Sequence, residues 1–232
     1  MRDGFLLYYT ARDRASGKQC VGVAFSPRPE GSFTDSRGAP LVCQAKLGGT
    51  IDPSPFRDGD RLYLLFKNDG NCCGLTAWLW VQEMTSDGQG LVGDPVKLAS
   101  NDRPWEGRVV EAPTLVKHED RYYLFYSANN YSGPEYAVGY ALCESVSGPC
   151  QDAPENPILK SNRNNPAITG PGHQTLLRVE DHWWIIFHAW EPGARGIKTS
   201  RRQLWIEPLT WRDGKPVVEI AESGTLPKGE KP

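Results

Sequence analysis

Two carboxylates and an imidazole stand at matching places in a repeated pattern. Asp52 lies in IDPSPFRDGDRLYLLFKN, Glu111 in EAPTLVKHEDRYYLFYSAN and His173 in GPGHQTLLRVEDHWWIIFHAW. Each comes ten or eleven residues before an apolar strand rich in aromatics, which starts at Leu62, Tyr122 or Trp183. If the three converge on one pocket, they must shift one another's proton affinities. An Asp that stays ionised raises the pKa of a neighbouring Glu, and an acid so raised can hand a proton to a departing oxygen near neutrality. The pattern therefore asks for acid–base chemistry by a pair of carboxylates of unequal roles.

The elements that would position this set also repeat. The strands LYLLFKN, YYLFYSA and WWIIFHA have a fourth copy, FLLYYTA, at Phe5. The starts at 5, 62, 122 and 183 are 57, 60 and 61 residues apart. A later strand recurs in each unit as CVGVAFS, AWLWVQEMT, YAVGYALCE and RQLWIEPLTW. A period above about 40 residues with several strands per period predicts propeller blades. The alternative, a β-sandwich with chance resemblance between strands, has to explain why residue, turn and aromatic strand agree three times. The fold expected is all-β, a single propeller domain over 1–232 in units of about 1–46, 47–105, 106–165 and 166–232. First strands of blades line the central channel, so Asp52, Glu111 and His173 are expected at equivalent positions facing one cavity. By comparison with the later copies, FLLYYTA is a second strand whose inner neighbour would begin before Met1. The first unit is then incomplete. Its unpaired edge from Phe5 to Ala11 is an association hazard, expected to be covered by another chain in a homodimer or domain swap. The last dozen residues read as a loose tail.

Composition narrows the partners. With 24 Gly and 19 Pro in 232 residues, and no long stretch of 3.6-residue apolar periodicity, very little helix is expected. The net charge of -2 and the lack of a basic run argue against nucleic acid. No apolar stretch approaches the roughly 18 residues of a membrane helix. Six cysteines show no paired zinc spacing. Cys143 and Cys150 flank a turn and could bridge, which would imply an oxidising, extracellular setting. Buried thiols and a cytoplasmic setting are the alternative, and no signal peptide is visible at Met1.

Taken together, IDPSPF, EAPTLVKHEDRYYLFYS and GPGHQTLL with WWIIFHAW resemble glycoside hydrolase family 43, over essentially the whole chain. The resemblance implies a five-bladed β-propeller that cleaves α-L-arabinofuranosyl or β-D-xylosyl linkages, in arabinose- or xylose-containing polysaccharide or oligosaccharide, with inversion. Carried over by motif, Glu111 matches the general acid and Asp52 the residue that tunes and orients it. His173 matches an axial His that in many members helps hold a calcium or other ion, largely through water; no cofactor is otherwise required. Trp78, Trp105 and Trp190 are candidates for stacking on sugar rings, with packing between blades as the alternative for each. The resemblance also implies a general base, an Asp on the first strand of an opening blade. That blade has no counterpart here, so the base is not visible in this chain. Without a base the rate falls by about 10²–10⁴. A non-catalytic carbohydrate-binding propeller is accordingly the alternative. A protein-interaction propeller would have no use for the acidic pair.

Overall fold

The computed structural model describes residues 4–162, 168–191 and 201–220. The tail expected over the last dozen residues lies outside them. The described residues form fourteen strands, joined by turns and three short 3-10 segments. Strands β1 (Phe5–Arg12) and β2 (Gln19–Ser26) form a two-stranded sheet. Three four-stranded antiparallel meanders follow. They are β3 (Thr50–Asp58), β4 (Arg61–Asn68), β5 (Trp78–Met84) and β6 (Leu91–Ser100); β7 (Val110–His118), β8 (Arg121–Ala128), β9 (Ala137–Cys143) and β10 (Cys150–Asp152); and β11 (Thr169–Val179), β12 (His182–Trp190), β13 (Arg202–Arg212) and β14 (Lys215–Val218). The first strands of successive sheets meet, β3 against β7 and β7 against β11, with β1 against β3. This is the expected all-β propeller, incomplete at its first unit.

The repeated aromatic strands form the middle of each blade because they are apolar on both faces. In β4 and β8 every residue from Tyr63 to Asn68 and from Tyr123 to Ala128 is buried, as expected for strands covered by neighbouring sheets. Between the second and third sheets the core holds Leu65, Leu79, Val110, Leu124 and Tyr126. Between the third and fourth it holds Tyr123, Phe125, Tyr140, Ile185 and Phe187. In β1, by contrast, Phe5 and Leu7 are 46% and 44% exposed.

Polar residues fasten the loops where strands end. Asn68 is fully buried and makes four bonds. Its Oδ1 accepts from the Trp78 N–H and the Trp80 Nε1–H, and its Nδ2 donates to the Leu47 and Thr76 carbonyls. Asn68→Ala strips two donors and two acceptors of this partner. The expected loss is about 3–5 kcal/mol of unfolding free energy, measurable by urea denaturation. All six cysteines pair, as Cys20–Cys43, Cys72–Cys73 and Cys143–Cys150. The last pair joins directly opposed residues of β9 and β10.

Candidate active site

Each inner strand carries a β-bulge at its channel end. Residue pairs Ile51–Lys67, Glu111–Ser127 and Gly172–His188 lie opposite one another, and the next paired residues are Ser54, Thr114 and Thr175. Two residues therefore bulge against one, at Asp52–Pro53, Ala112–Pro113 and His173–Gln174. The first of each is left-handed, with φ of 56° for Asp52, 54° for Ala112 and 51° for His173. Non-glycine residues rarely adopt this geometry. Proline suits the second position because a bulged residue has no ladder bond to lose. The register corrects the expected equivalence: Asp52 corresponds to Ala112 and His173, and Glu111 corresponds to Ile51 and Gly172. A step of one residue re-aims a strand's side chain, so the two acids open onto different spaces.

Glu111 is buried and faces a cleft of about 460 Å³ with Asn71, Arg108, Asn129, Asn130 and Tyr131 at its walls. Both its oxygens are engaged. Oε2 accepts from Lys67 Nζ at 2.9 Å, and Oε1 accepts from the Tyr136 hydroxyl at 2.7 Å. Lys67 lies near the end of β4 in the preceding blade and is fully buried. Burial, then the Glu111 charge, pushes the Tyr136 phenol well above its ordinary value, which holds it as a donor. The Tyr136 ring lies where a Cβ of Gly172 would be, 2.0 Å from its nearest carbon. The glycine before His173 thus makes room for the tyrosine that reaches Glu111. His188 stacks on Tyr136, centroids 5.7 Å apart. Burial and the Arg202 charge push His188 down to about 4, so it is a neutral imidazole.

Asp52 and His173 share a second cleft with Tyr8, Thr10, Ser54, Thr114 and Gln174. Asp52 Oδ2 accepts the Ala112 N–H at 2.9 Å, a backbone donor that the bulge leaves out of the ladder. The Ala112 carbonyl accepts from Gln174 Nε2 on the next blade, and Gln174 Oε1 accepts from the Ser127 hydroxyl. The residue after Glu111 is therefore held from both sides, by Asp52 and by Gln174. Burial raises the Asp52 carboxyl above its ordinary value. The His173 charge opposes that rise, the Glu111 charge adds to it, and Lys67 and the Ala112 bond pull it down. Sequence reasoning treated Asp52 as the tuner; the structure makes it a tuned group as well.

A hard cation takes about 6–8 oxygen ligands. Asp52 and His173 alone contribute one carboxylate and one imidazole, too few for a directly ligated ion, so the expected ion would take most of its oxygens from water. Of the three tryptophans, Trp190 is buried, donates Nε1–H to the Tyr131 carbonyl at 3.0 Å and has Arg202 over its ring. It thus stands behind the exposed Tyr131 of the Glu111 cleft. Trp105 packs on Tyr126, centroids 5.7 Å apart, and over Gly139. Trp78 lies under the Lys97 ammonium, 4.2 Å from its ring centre. Sequence reasoning missed Lys67, Tyr136, Ser127 and Gln174. One signal was available: Lys67, Ser127 and His188 are the polar residues at matching places in FKN, YSA and FHA.

The sequence profile of Glycosyl hydrolases family 43 matches residues 1–216. A β-xylosidase from Bacillus subtilis is 29% identical over 223 residues, which cover 85% of this chain and 41% of that protein. A non-reducing end α-L-arabinofuranosidase from Bacteroides ovatus is 32% identical over 173 residues, 72% of this chain and 30% of that protein. The chain thus spans less than half the length of either relative. The crystal structure of a thermostable family-43 glycoside hydrolase matches with a TM-score of 0.84 at 29% identity, over 99% of this chain and 76% of that one.

Proposed function

The chain belongs to glycoside hydrolase family 43, and from that premise we propose that its axial site cleaves α-L-arabinofuranosyl or β-D-xylosyl linkages in plant cell-wall polysaccharide or its oligosaccharides, with inversion. The observation that carries this reading is the bond between blades from the Ala112 N–H to Asp52, which fixes Asp52 beside the strand that presents Glu111. Glu111 delivers the proton to the departing oxygen. Asp52 orients the strand and sets the charge beside it. An inverting step also needs a base, about 6.5–9.5 Å from the acid, that draws a proton from water on the far face of the sugar. Among the described residues, Glu111 and Asp52 are the carboxylates that line the two axial clefts, so the reading requires a base from outside them. The same observation favours a second reading, a propeller that binds these glycans without cleaving them.

Aryl α-L-arabinofuranoside and aryl β-D-xyloside, offered to the 232-residue chain, test both readings. Release of the aryl group from one of them is expected, with the sugar appearing first as the opposite anomer by proton NMR. A retained anomer sinks inversion. Binding of the matching oligosaccharide without release favours the second reading, and neither release nor binding sinks both.

A further inference from the structure

The loop between β4 and β5 carries a feature that the proposed chemistry does not use. Residues Gly70–Cys73 form a 3-10 turn that closes on the left-handed Gly74. Its root is clamped by the four bonds of Asn68 and by close approach of Gly48, where a Cβ would lie 2.2 Å from the Asp69 carbonyl oxygen. Its tip is different. Residues 71–76 are all exposed, and no core side chain holds them. Yet Asn71, at the start of that tip, lines the Glu111 cleft, and its side-chain amide has no hydrogen-bond partner among the described residues. A side chain that must stay at a cleft wall without packing behind it loses rotamer and backbone freedom.

The next two residues are joined to each other. Cys72 and Cys73 form a disulfide between sequence neighbours, closing a small ring through their own peptide bond. Beyond it the tip is held by backbone bonds rather than by packing: the Cys72 N–H donates to the Asp69 carbonyl, the Gly74 N–H to the Gly70 carbonyl, and the Thr76 carbonyl accepts from Asn68. Cys72 Sγ lies 3.7 Å from the Gly48 carbonyl, Lys18 Nζ lies 3.4 Å from Cys73 Sγ, and the Leu75 N–H donates to the Gly70 carbonyl. The ring restricts the backbone immediately after Asn71, which packing does not.

We infer that the Cys72–Cys73 disulfide is a positioning element of the Glu111 cleft: it holds Asn71 as a glycan-binding side chain, so that glycan affinity depends on the two sulfurs being joined. This rests on the reading that the cleft takes a glycan. The free Asn71 amide offers one acceptor and two donors, which suits the vicinal hydroxyls of a sugar. A dithiol reductant undoes the device by exchange. Its thiolate attacks Cys72 Sγ, the Cys72–Cys73 bond breaks, and Cys73 leaves as a thiolate beside the Lys18 ammonium and then takes a proton. The reductant's second thiol resolves the mixed disulfide, leaving two protein thiols and the oxidised, cyclic reductant.

The test is calorimetric binding of α-1,5-linked arabinotriose and β-1,4-linked xylotriose to four proteins: the wild type, C72S/C73S, N71A and the triple variant. C72S/C73S is expected to bind the preferred trisaccharide about tenfold more weakly (about 1.4 kcal/mol), and N71A by a similar factor. The triple variant should be no weaker than N71A, because the disulfide acts through Asn71. Wild type treated with dithiothreitol should fall to the C72S/C73S value, while C72S/C73S itself does not respond. Wild-type affinity in C72S/C73S, or losses that add in the triple variant, overturns this inference alone. A wild type that binds neither trisaccharide overturns the glycan reading together with it.

Discussion

Glu111→Gln is expected to lower hydrolysis by about 10²–10⁴-fold and, separately, to destabilise the fold by about 3–5 kcal/mol. The first effect follows from chemistry: the resting carboxylate, paired with Lys67, must take up a proton before it can give one to the departing oxygen, and a carboxamide of the same shape can do neither. The second follows from Lys67. Its side chain is fully buried, and the Glu111 carboxylate at 2.9 Å is its charge partner. Whatever rotamer the new side chain adopts, a neutral amide cannot balance the ammonium. Removing one member of a buried pair leaves the other without its hydrogen-bonded counter-charge, with only the Asp52 and Asp69 carboxyls among the described residues still acting on it, and that is where the cost arises. The two effects can be separated. Lys67→Met added to Glu111→Gln removes the stranded charge and replaces it with an unbranched apolar chain. Unfolding free energy should recover in the double variant, while hydrolysis stays at the level of the single one. A Glu111→Gln protein as stable as wild type in urea would mean that the Lys67 charge is balanced by some other group. Full activity in the single variant would remove Glu111 as the acid.

The blades were legible because their middle strands are covered on both faces. Burial on both sides demands runs such as YLLF and YYLFY, and such runs repeat visibly. The chemistry-bearing residues were legible for another reason: Asp52-Pro53 and Ala112-Pro113 place a proline inside a strand, which a bulge without a ladder bond tolerates, and these stand out. The one-residue offset between Asp52 and Glu111 was hidden, since spacings of ten and eleven residues from the next strand look interchangeable until pairing is known. Lys67 stands at the end of an apolar strand, where a lysine is ordinarily solvated. Its burial depends on Glu111, forty-four residues later and in the next blade, and no local pattern carries that. Cysteine pairing divides in the same way. Cys143 and Cys150 flank a hairpin turn and could be matched by eye, whereas Cys20–Cys43 depends on a chain path that spacing does not reveal.

Asp52→Asn is expected to move activity and stability in opposite directions. Asn keeps an oxygen for the Ala112 N–H, so the bond between blades survives, but the negative charge beside the site is gone. Hydrolysis should fall by about 10²-fold, with the larger share in kcat, because the charge bears on proton transfer more than on glycan contacts. For stability the sign comes from the shift. Burial raises the folded-state pKa of Asp52 above its ordinary value of 3.8. Below that ordinary value both folded and unfolded chains hold the proton, and the group's stabilising contribution is fully present. As pH rises through the folded-state pKa, the buried carboxyl must ionise and that contribution is lost. Asn has no such loss. The His173 charge attracts the Asp52 carboxylate and so limits the shift, yet burial is the larger influence. The Tm of the variant minus that of wild type should therefore increase as pH rises above the ordinary carboxyl value of 3.8. A difference that stays flat, or turns against the variant as pH rises, would mean that His173 and the Ala112 bond outweigh burial. An active site that holds a carboxylate against its own desolvation is a strained arrangement, and gaining stability while losing turnover is the signature such a site should give.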